Sequence, residues 1–223
     1  MALVMEAGAH VNQLKRVLDF NITKIAGCLL THEHGDHAGH VKNYLRAGID
    51  VYASQGTIDA LGISHHRLHP LKAMQKQIIK GFSVLPFDVK HDCAEPLGFL
   101  INHPDTGTFV FATDTYYIPY TFQGLNNVLI ECNYSRDILD ENVRNGLATS
   151  IRDRVIQSHM ELQTCKDFLS ANDLSQVHNI VLLHLSDTNS HAEQFRSTIQ
   201  ELTGKPVFIA DKGSQIQISK KAF

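Results

Sequence analysis

Seven consecutive residues, Thr31-His32-Glu33-His34-Gly35-Asp36-His37, constrain this chain more than any other stretch. They bring three imidazoles and two carboxylates, Glu33 and Asp36, into a span short enough for several of these groups to converge. Neutral imidazole and carboxylate suit a borderline divalent cation such as Zn²⁺, and mixed N/O ligation also admits Mn²⁺ or iron. The alternative is a solvated histidine-rich turn, and the flanking sequence argues against it. Ile25-Ala26-Gly27-Cys28-Leu29-Leu30 is a continuous apolar run, as expected of a strand buried on both faces. Residues 38–47 then carry Val41, Tyr44 and Leu45 at helical offsets, with Gly48 where a helix-ending glycine belongs. The motif thus falls at the carboxyl end of a strand, where open α/β sheets gather their ligands. In such a loop His32 and His34 can project to one ion while Asp36 and His37 turn toward a neighbour, so the stretch reads as half of a two-metal hydrolytic site. Glu33 reads either as a partner of a ligand imidazole or as a solvated acid.

The chain has 223 residues and no Pro, Gly or Ser-rich stretch long enough to be a linker, so a single domain over residues 1–223 is expected. A formal net charge of −3 and a pI near 6.5 exclude an overall electrostatic grip on nucleic acid, though not a local basic groove. The four cysteines, Cys28, Cys93, Cys132 and Cys165, show no paired spacing, and a disulfide framework is not expected at this length. Residues 1–5 are apolar but are interrupted by Glu6 and lack a basic flank, too little for a signal peptide or a membrane span. A soluble, cytoplasmic protein with no membrane partner is the expectation.

In chain order, residues 2–7 read as a strand, and Val11, Leu14, Val17 and Leu18 as one face of a short helix. Residues 50–54 read as a strand and 57–61 as a short helix. His65, His66 and His69 fall in an expected loop without an acidic or cysteine partner at metal-site spacing, which makes them surface or groove residues. Residues 78–87, with Gly81 and Pro86, suggest a turn leading into a strand. Residues 97–102 and 108–113 flank Pro104-Asp105-Thr106-Gly107 and read as a hairpin. Buried strands are expected at 127–132 and 179–183, and helices at 161–171 and 192–202. Two closing strands are expected near 206–210 and 215–218. Arg136, Arg144, Arg152 and Arg154 punctuate a polar helical region, and Arg136, Arg152 and Arg154 are candidates for phosphate contacts.

Two metals need more donors than the first loop supplies, so His and Asp should recur at strand ends downstream. They do: His91 follows the segment 85–89, Asp114 ends 109–113, and His184 ends 180–183. Taken in this order, Thr31 to His37, His91, Asp114 and His184 resemble the metallo-β-lactamase-fold hydrolase superfamily over essentially the whole chain. The resemblance implies a four-layer αββα sandwich with the metals in its cleft. One metal would be held by His32, His34 and His91, the other by Asp36, His37 and His184, with Asp114 bridging. In small phosphodiesterases and nucleases of that superfamily a further histidine precedes the last ligand, and His159 fits its position.

The segments Phe111-Ala112-Thr113-Asp114-Thr115, Ile130-Glu131-Cys132-Asn133-Tyr134, Ser158-His159-Met160 and Leu183-His184-Leu185-Ser186-Asp187 resemble compact bacterial and prophage-encoded hydrolases similar to a DNA exonuclease branch. The implied activity is a dinuclear phosphodiesterase or nuclease in which two cations, Zn²⁺ or Mn²⁺ foremost with iron admitted, activate a bridging water. Asp36 would orient that hydroxide, and His159 would contact a phosphoryl oxygen or protonate the leaving group. The substrate would be a phosphodiester, in the fullest case nucleic acid. A carboxylic ester or lactone hydrolase and a non-catalytic metal-binding remnant are the alternatives. Relatives of this kind usually begin with two or more strands ahead of the segment corresponding to residues 2–8, and the resemblance leads to the expectation that these first strands are missing here or that the sheet edge is completed otherwise. The expected exposed edge at residues 2–7 is a site for homo-oligomer formation.

Overall fold

The computed structural model of the chain describes residues 1–221, and the apolar run at residues 25–30 lies inside a parallel sheet. The backbone divides into two compact units, Met1–Asp88 with Cys93–Phe99, and Val89–Asp92 with the chain from Leu100 onward. In the first unit, β1 (Ala2–Met5), β2 (Ile25–Leu29), β3 (Val51–Ser54) and β4 (Leu68–Leu71) lie in that order, every neighbour parallel. Parallel neighbours need crossover connections. These are α1 (Val11–Val17) after β1, α2 (Gly35–Ala38) and α3 (Val41–Arg46) after β2, and α4 (Gln55–Leu61) after β3. All of β2 is buried. Val11, Val41, Tyr44 and Leu45 from the helices form one apolar cluster with Ala7, Cys28, Leu30, Val51 and Ala53.

Two local expectations are corrected in this unit. The helix expected at 38–47 is α3, and it begins only at Val41 because tertiary bonds engage the backbone just ahead of it. The His37 carbonyl accepts from Ala7 N (2.6 Å) and His40 N donates to the Ala7 carbonyl (2.9 Å). His69 does not lie in a loop: it is in β4, opposite Tyr52 in the register, with its ring stacked on Tyr52 and Nε2 3.2 Å from Asp50 Oδ1. Arg67 Nη1 donates to the same oxygen at 3.2 Å. The acidic partner that spacing did not offer His69 is thus supplied by parallel pairing. Residues 78–87 belong to an antiparallel hairpin of β5 (Gln77–Ile79) and β6 (Phe82–Asp88), turned at Lys80 and Gly81, both at positive φ.

β7 (Leu97–His103), which enters the second unit at Leu100, and β8 (Gly107–Ala112) flank the expected tight turn. Beside β8 follow β9 (Asn127–Glu131), β10 (Asn179–Leu183) and β11 (Val207–Ile209), parallel from β8 onward. The intervening helices are α5 (Arg136–Arg144), α6 (Thr149–Ser158), α7 (Leu162–Ala171) and α8 (Ala192–Thr203). Cys165, Phe168 and Leu169 are the buried face of α7, and Phe195 and Ile199 that of α8. Full burial of a side chain such as Phe195 contributes about 1.5–3 kcal/mol. The strand expected at 215–218 is absent. Carbonyls there are taken by side-chain amides instead of a ladder: Asn179 Nδ2 donates to Gln217 O and Asn127 Nδ2 to Ser219 O. Among the described residues no helix is long and apolar enough to cross a membrane.

Candidate metal centre

In the first unit the donor loop leaves the buried end of β2 and runs into the four-residue α2, whose first turn carries Asp36 and His37. His32 is fully buried, and Thr31 Oγ1 shares a 2.8 Å hydrogen bond with its Nδ1, which leaves Nε2 as the nitrogen that could hold a metal. The three rings converge. His32 lies 4.6 Å from His34 and 4.3 Å from His37, centroid to centroid. Asp36 is the exposed member, its carboxylate 3.4 Å from His37 Nε2 and two-thirds open to solvent.

The loop is held by residues that the motif does not include. Glu6 accepts from Thr31 N and lies 3.7 Å from His37 Nδ1; burial pushes its carboxyl up, and the His37 contact opposes that. Gly8 lies against the loop so closely that a Cβ there would sit 1.6 Å from the Asp36 carbonyl oxygen, contact no other residue type permits. Glu33 has a backbone partner. Its Oε1 accepts from Ala94 N at 2.8 Å and anchors the backbone of residues 93–99.

The second unit assembles its donors by strand register. Ala112 pairs with Ile130, and Glu131 with Leu183, so the carboxyl ends of β8, β9 and β10 lie side by side. From that edge project Asp114, Glu131 and His184. Asp114 and His184 turn over the strand tips at φ +49° and +54°, left-handed conformations costly for residues with a Cβ and concentrated at functional sites. His91 joins them from the segment ahead of β7. Its Nδ1–H donates to the Ser158 carbonyl at 2.9 Å, which leaves Nε2 as the nitrogen that could hold a metal. That nitrogen lies 3.7 Å from Asp114 Oδ2, while Asp114 Oδ1 contacts His184 Nδ1 directly. The two oxygens of one buried carboxylate therefore face two different imidazoles.

Electrostatics separates those imidazoles. Burial holds His91 below the ordinary histidine range, in the neutral form a cation requires. For His184 burial acts in the same direction, but hydrogen bonds to Asp114 and Glu131 outweigh it and push the ring up to about 10. Such a concentration of negative charge around one imidazole is what a bound cation would neutralise. Mixed imidazole and carboxylate donors, buried and converging, fit a divalent transition metal.

Glu131 is the residue that sequence reasoning did not single out as functional. Fully buried, it accepts from Thr115 N through Oε2 (2.6 Å) and holds His159 Nδ1 through Oε1 (2.8 Å). Ligand atoms of Asp114, Glu131, His159 and His184 all lie within 4.8 Å of one another. The signal was an acid closing an otherwise apolar strand. The structure brings together His32, His34 and His37 with Asp36 beside them in one unit, and His91, Asp114, His159 and His184 in the other. Of the three arginines expected to contact phosphate, Arg136 opens α5, Arg152 lies 3.4 Å from its neighbour Asp153, and Arg154 reaches within 3.7 Å of Asp92.

A family model described as a beta-lactamase superfamily domain matches residues 5–185. Exodeoxyribonuclease YycJ of Bacillus anthracis is 27% identical over 212 residues, an alignment covering 88% of this chain and 77% of that protein. Among solved structures, the metallo-beta-lactamase fold protein YhfI from Bacillus subtilis superposes with a TM-score of 0.67 at 16% identity, covering 95% of this chain and 85% of the other. The short form of human tRNase Z gives a TM-score of 0.61 at 16% identity, covering 97% and 88%.

Proposed function

The chain belongs to the metallo-β-lactamase superfamily, whose fold and clustered metal donors it carries, and we propose that it is a dinuclear metal-dependent phosphodiesterase or nuclease. The observation that carries this reading is His159, held by Glu131 among the strand-end donors yet lining an open cavity. A phosphodiester that expels an alkoxide needs a proton donor or an extra contact to its charged oxygens, and an imidazole serves either need. Relatedness to an exodeoxyribonuclease points the same way.

In this proposal His32, His34 and His91 hold one cation, Asp36, His37 and His184 the other, and Asp114 is shared. The two-sided placement of the Asp114 carboxylate, one oxygen toward His91 and one toward His184, supports the sharing. Zn²⁺ or Mn²⁺ suits the donors, and iron is admitted. When bound, the cations supply an acidified water and neutralise charge on the phosphodiester. The chain's own residues do the rest. Asp36 orients the attacking water. With Nδ1 engaged by Glu131, His159 presents Nε2 to a phosphoryl oxygen or to the leaving group, a role worth roughly 10²–10⁴-fold. We read the two units as halves of one αββα domain over residues 1–223, a reading supported by a family match that runs through both.

β1 closes the strand order of its sheet and all four of its residues are half-buried, which supports self-association along that edge. Light scattering that finds only monomer at high concentration removes this part of the proposal. The catalytic part is tested with metal-reconstituted protein on bis-p-nitrophenyl phosphate, p-nitrophenyl acetate and single-stranded DNA. Turnover of the phosphodiesters well above that of the acetate is expected. The reverse order assigns the chain to carboxylic ester hydrolysis, and no turnover of any substrate leaves a metal-binding remnant.

A further inference from the structure

The cavity beside His159 has a chemical character of its own. About 540 Å³ in volume, it is lined by Ser150, Ile151, Arg154, Val155 and His159, a size within the range of small-molecule sites. Ile151 and Val155 stand one helical turn apart on α6, and His159 is the extended residue that ends the helix, so the apolar floor leads along the helix to the imidazole. Ile151 is 49% exposed, so its side chain is open to a ligand in the cavity. Arg154 stands at the rim with its side chain 74% exposed and its Nε 3.7 Å from Asp92, the neighbour of His91. A surface pair this long and this exposed holds the guanidinium weakly and yields it to a competing anion. The rings of His91 and His159 are 5.7 Å apart, so the cavity opens directly beside the donor set.

Resting on the phosphodiesterase reading, we propose that this α6 cavity is the subsite for the nucleoside flanking the scissile phosphodiester. The base and sugar lie on Ile151 and Val155, and Arg154 takes the next phosphate of a single strand. An apolar floor ending at the imidazole that meets the scissile phosphate, with one guanidinium beyond it, matches the alternation of apolar base and anionic phosphate along a single strand. A simple diester with one phosphate cannot use the rim. The substrate class that uses all of it is an oligonucleotide.

The test uses the full-length metallated protein and a fluorescein-labelled single-stranded DNA with phosphorothioate linkages, read by fluorescence anisotropy over a series of salt concentrations. Arg154→Gln should weaken binding and lower the slope of log Kd against log salt by about 0.7, the contribution of one single-strand phosphate. Arg144→Gln, an exposed arginine on α5 away from the cavity, should leave the slope as it is. Ile151→Ser should raise Kd roughly three- to tenfold without changing the slope, since it removes apolar contact and no charge. Equal slope losses at Arg144 and Arg154 would mean diffuse surface charge and overturn the subsite, as would wild-type protein that does not bind the oligonucleotide. Wild type that binds with the expected slopes but cleaves no phosphodiester overturns the proposed reaction and leaves the subsite standing.

Discussion

The two sets of donors are built by opposite strategies. In the first unit, His32, His34, Asp36 and His37 are neighbours in sequence, and the fold has only to keep a short loop in shape. It does so with backbone contacts from Ala7, Gly8 and Glu6. In the second unit, His91, Asp114 and His184 are far apart in sequence, and the parallel register of β8, β9 and β10 brings the last two to one edge. The first set is compact but depends on close packing of its support. The second set is dispersed and rests on strands whose ladders and burial give it rigidity. A loop site should therefore fail by steric displacement, and a strand-end site by loss of individual side chains.

Gly8→Ala should give the largest effect. Its Cβ would meet the Asp36 carbonyl oxygen at 1.6 Å, so the loop or the segment after β1 must move. Destabilisation of at least about 1–3 kcal/mol is expected by analogy with overpacked cores, together with weaker binding of both cations, since the loop supplies donors to each. Thermal unfolding and metal analysis check this, and a variant with wild-type stability and two metals would break the contrast between the regions. In the second region the damage should be selective. His184→Ala removes a donor while the strands remain, so the metal ratio should fall from two toward one with the fold retained.

His159→Ala should keep both metals and lose on the order of 10²–10⁴-fold in turnover. The deficit should be smaller with a nitrophenolate leaving group if the imidazole is the proton donor. Metal loss from His159→Ala with both metals retained by His184→Ala would reverse the two assignments. Glu131→Gln weakens the anchor of His159 without removing the ring, and a milder loss of turnover is expected, with metal content unchanged.

The smallest effect sharpens the comparison by touching neither donor set. Burial pushes the Asp50 carboxyl up, but hydrogen bonds from His69 and Arg67 outweigh it and hold the group below the ordinary aspartate range. A depressed carboxylate stabilises the fold above the unfolded-state pKa, near 4, and loses that contribution as pH falls through the folded value. Asp50→Asn should cost less than about 1 kcal/mol near neutrality. Unfolding measured against pH should show the gap to wild type closing below about pH 4, and a gap that widens there would contradict the pairing.

The histidine loop was readable because its donors are adjacent and its flanks follow simple periodicities: an apolar run for β2, helical offsets at Val41, Tyr44 and Leu45, a glycine at position 48. Asp114, His184 and His91 were readable only as residues at strand ends; their convergence depends on which strands are neighbours. The pairing of His69 with Asp50 escaped for the same reason, since β3 and β4 are joined by a helix and only their register sets the two side chains together. The false strand at 215–218 shows the converse. Alternating apolar residues suggest a ladder, but the amides of Asn179 and Asn127 claim the carbonyls first.

By itself, then, the sequence determined which residues are chemically fit to hold metal and which stretches fold as strands and helices, because donor type and hydrophobic period are properties of the chain. Tertiary structure alone decided that Glu131 orients His159, that Gly8 cannot be larger, that Glu33 anchors a backbone amide, and that Arg154 rather than Arg136 or Arg152 borders the cavity. Each of these depends on atoms brought within a few ångströms by strand register or by close backbone approach, distances that no local pattern encodes.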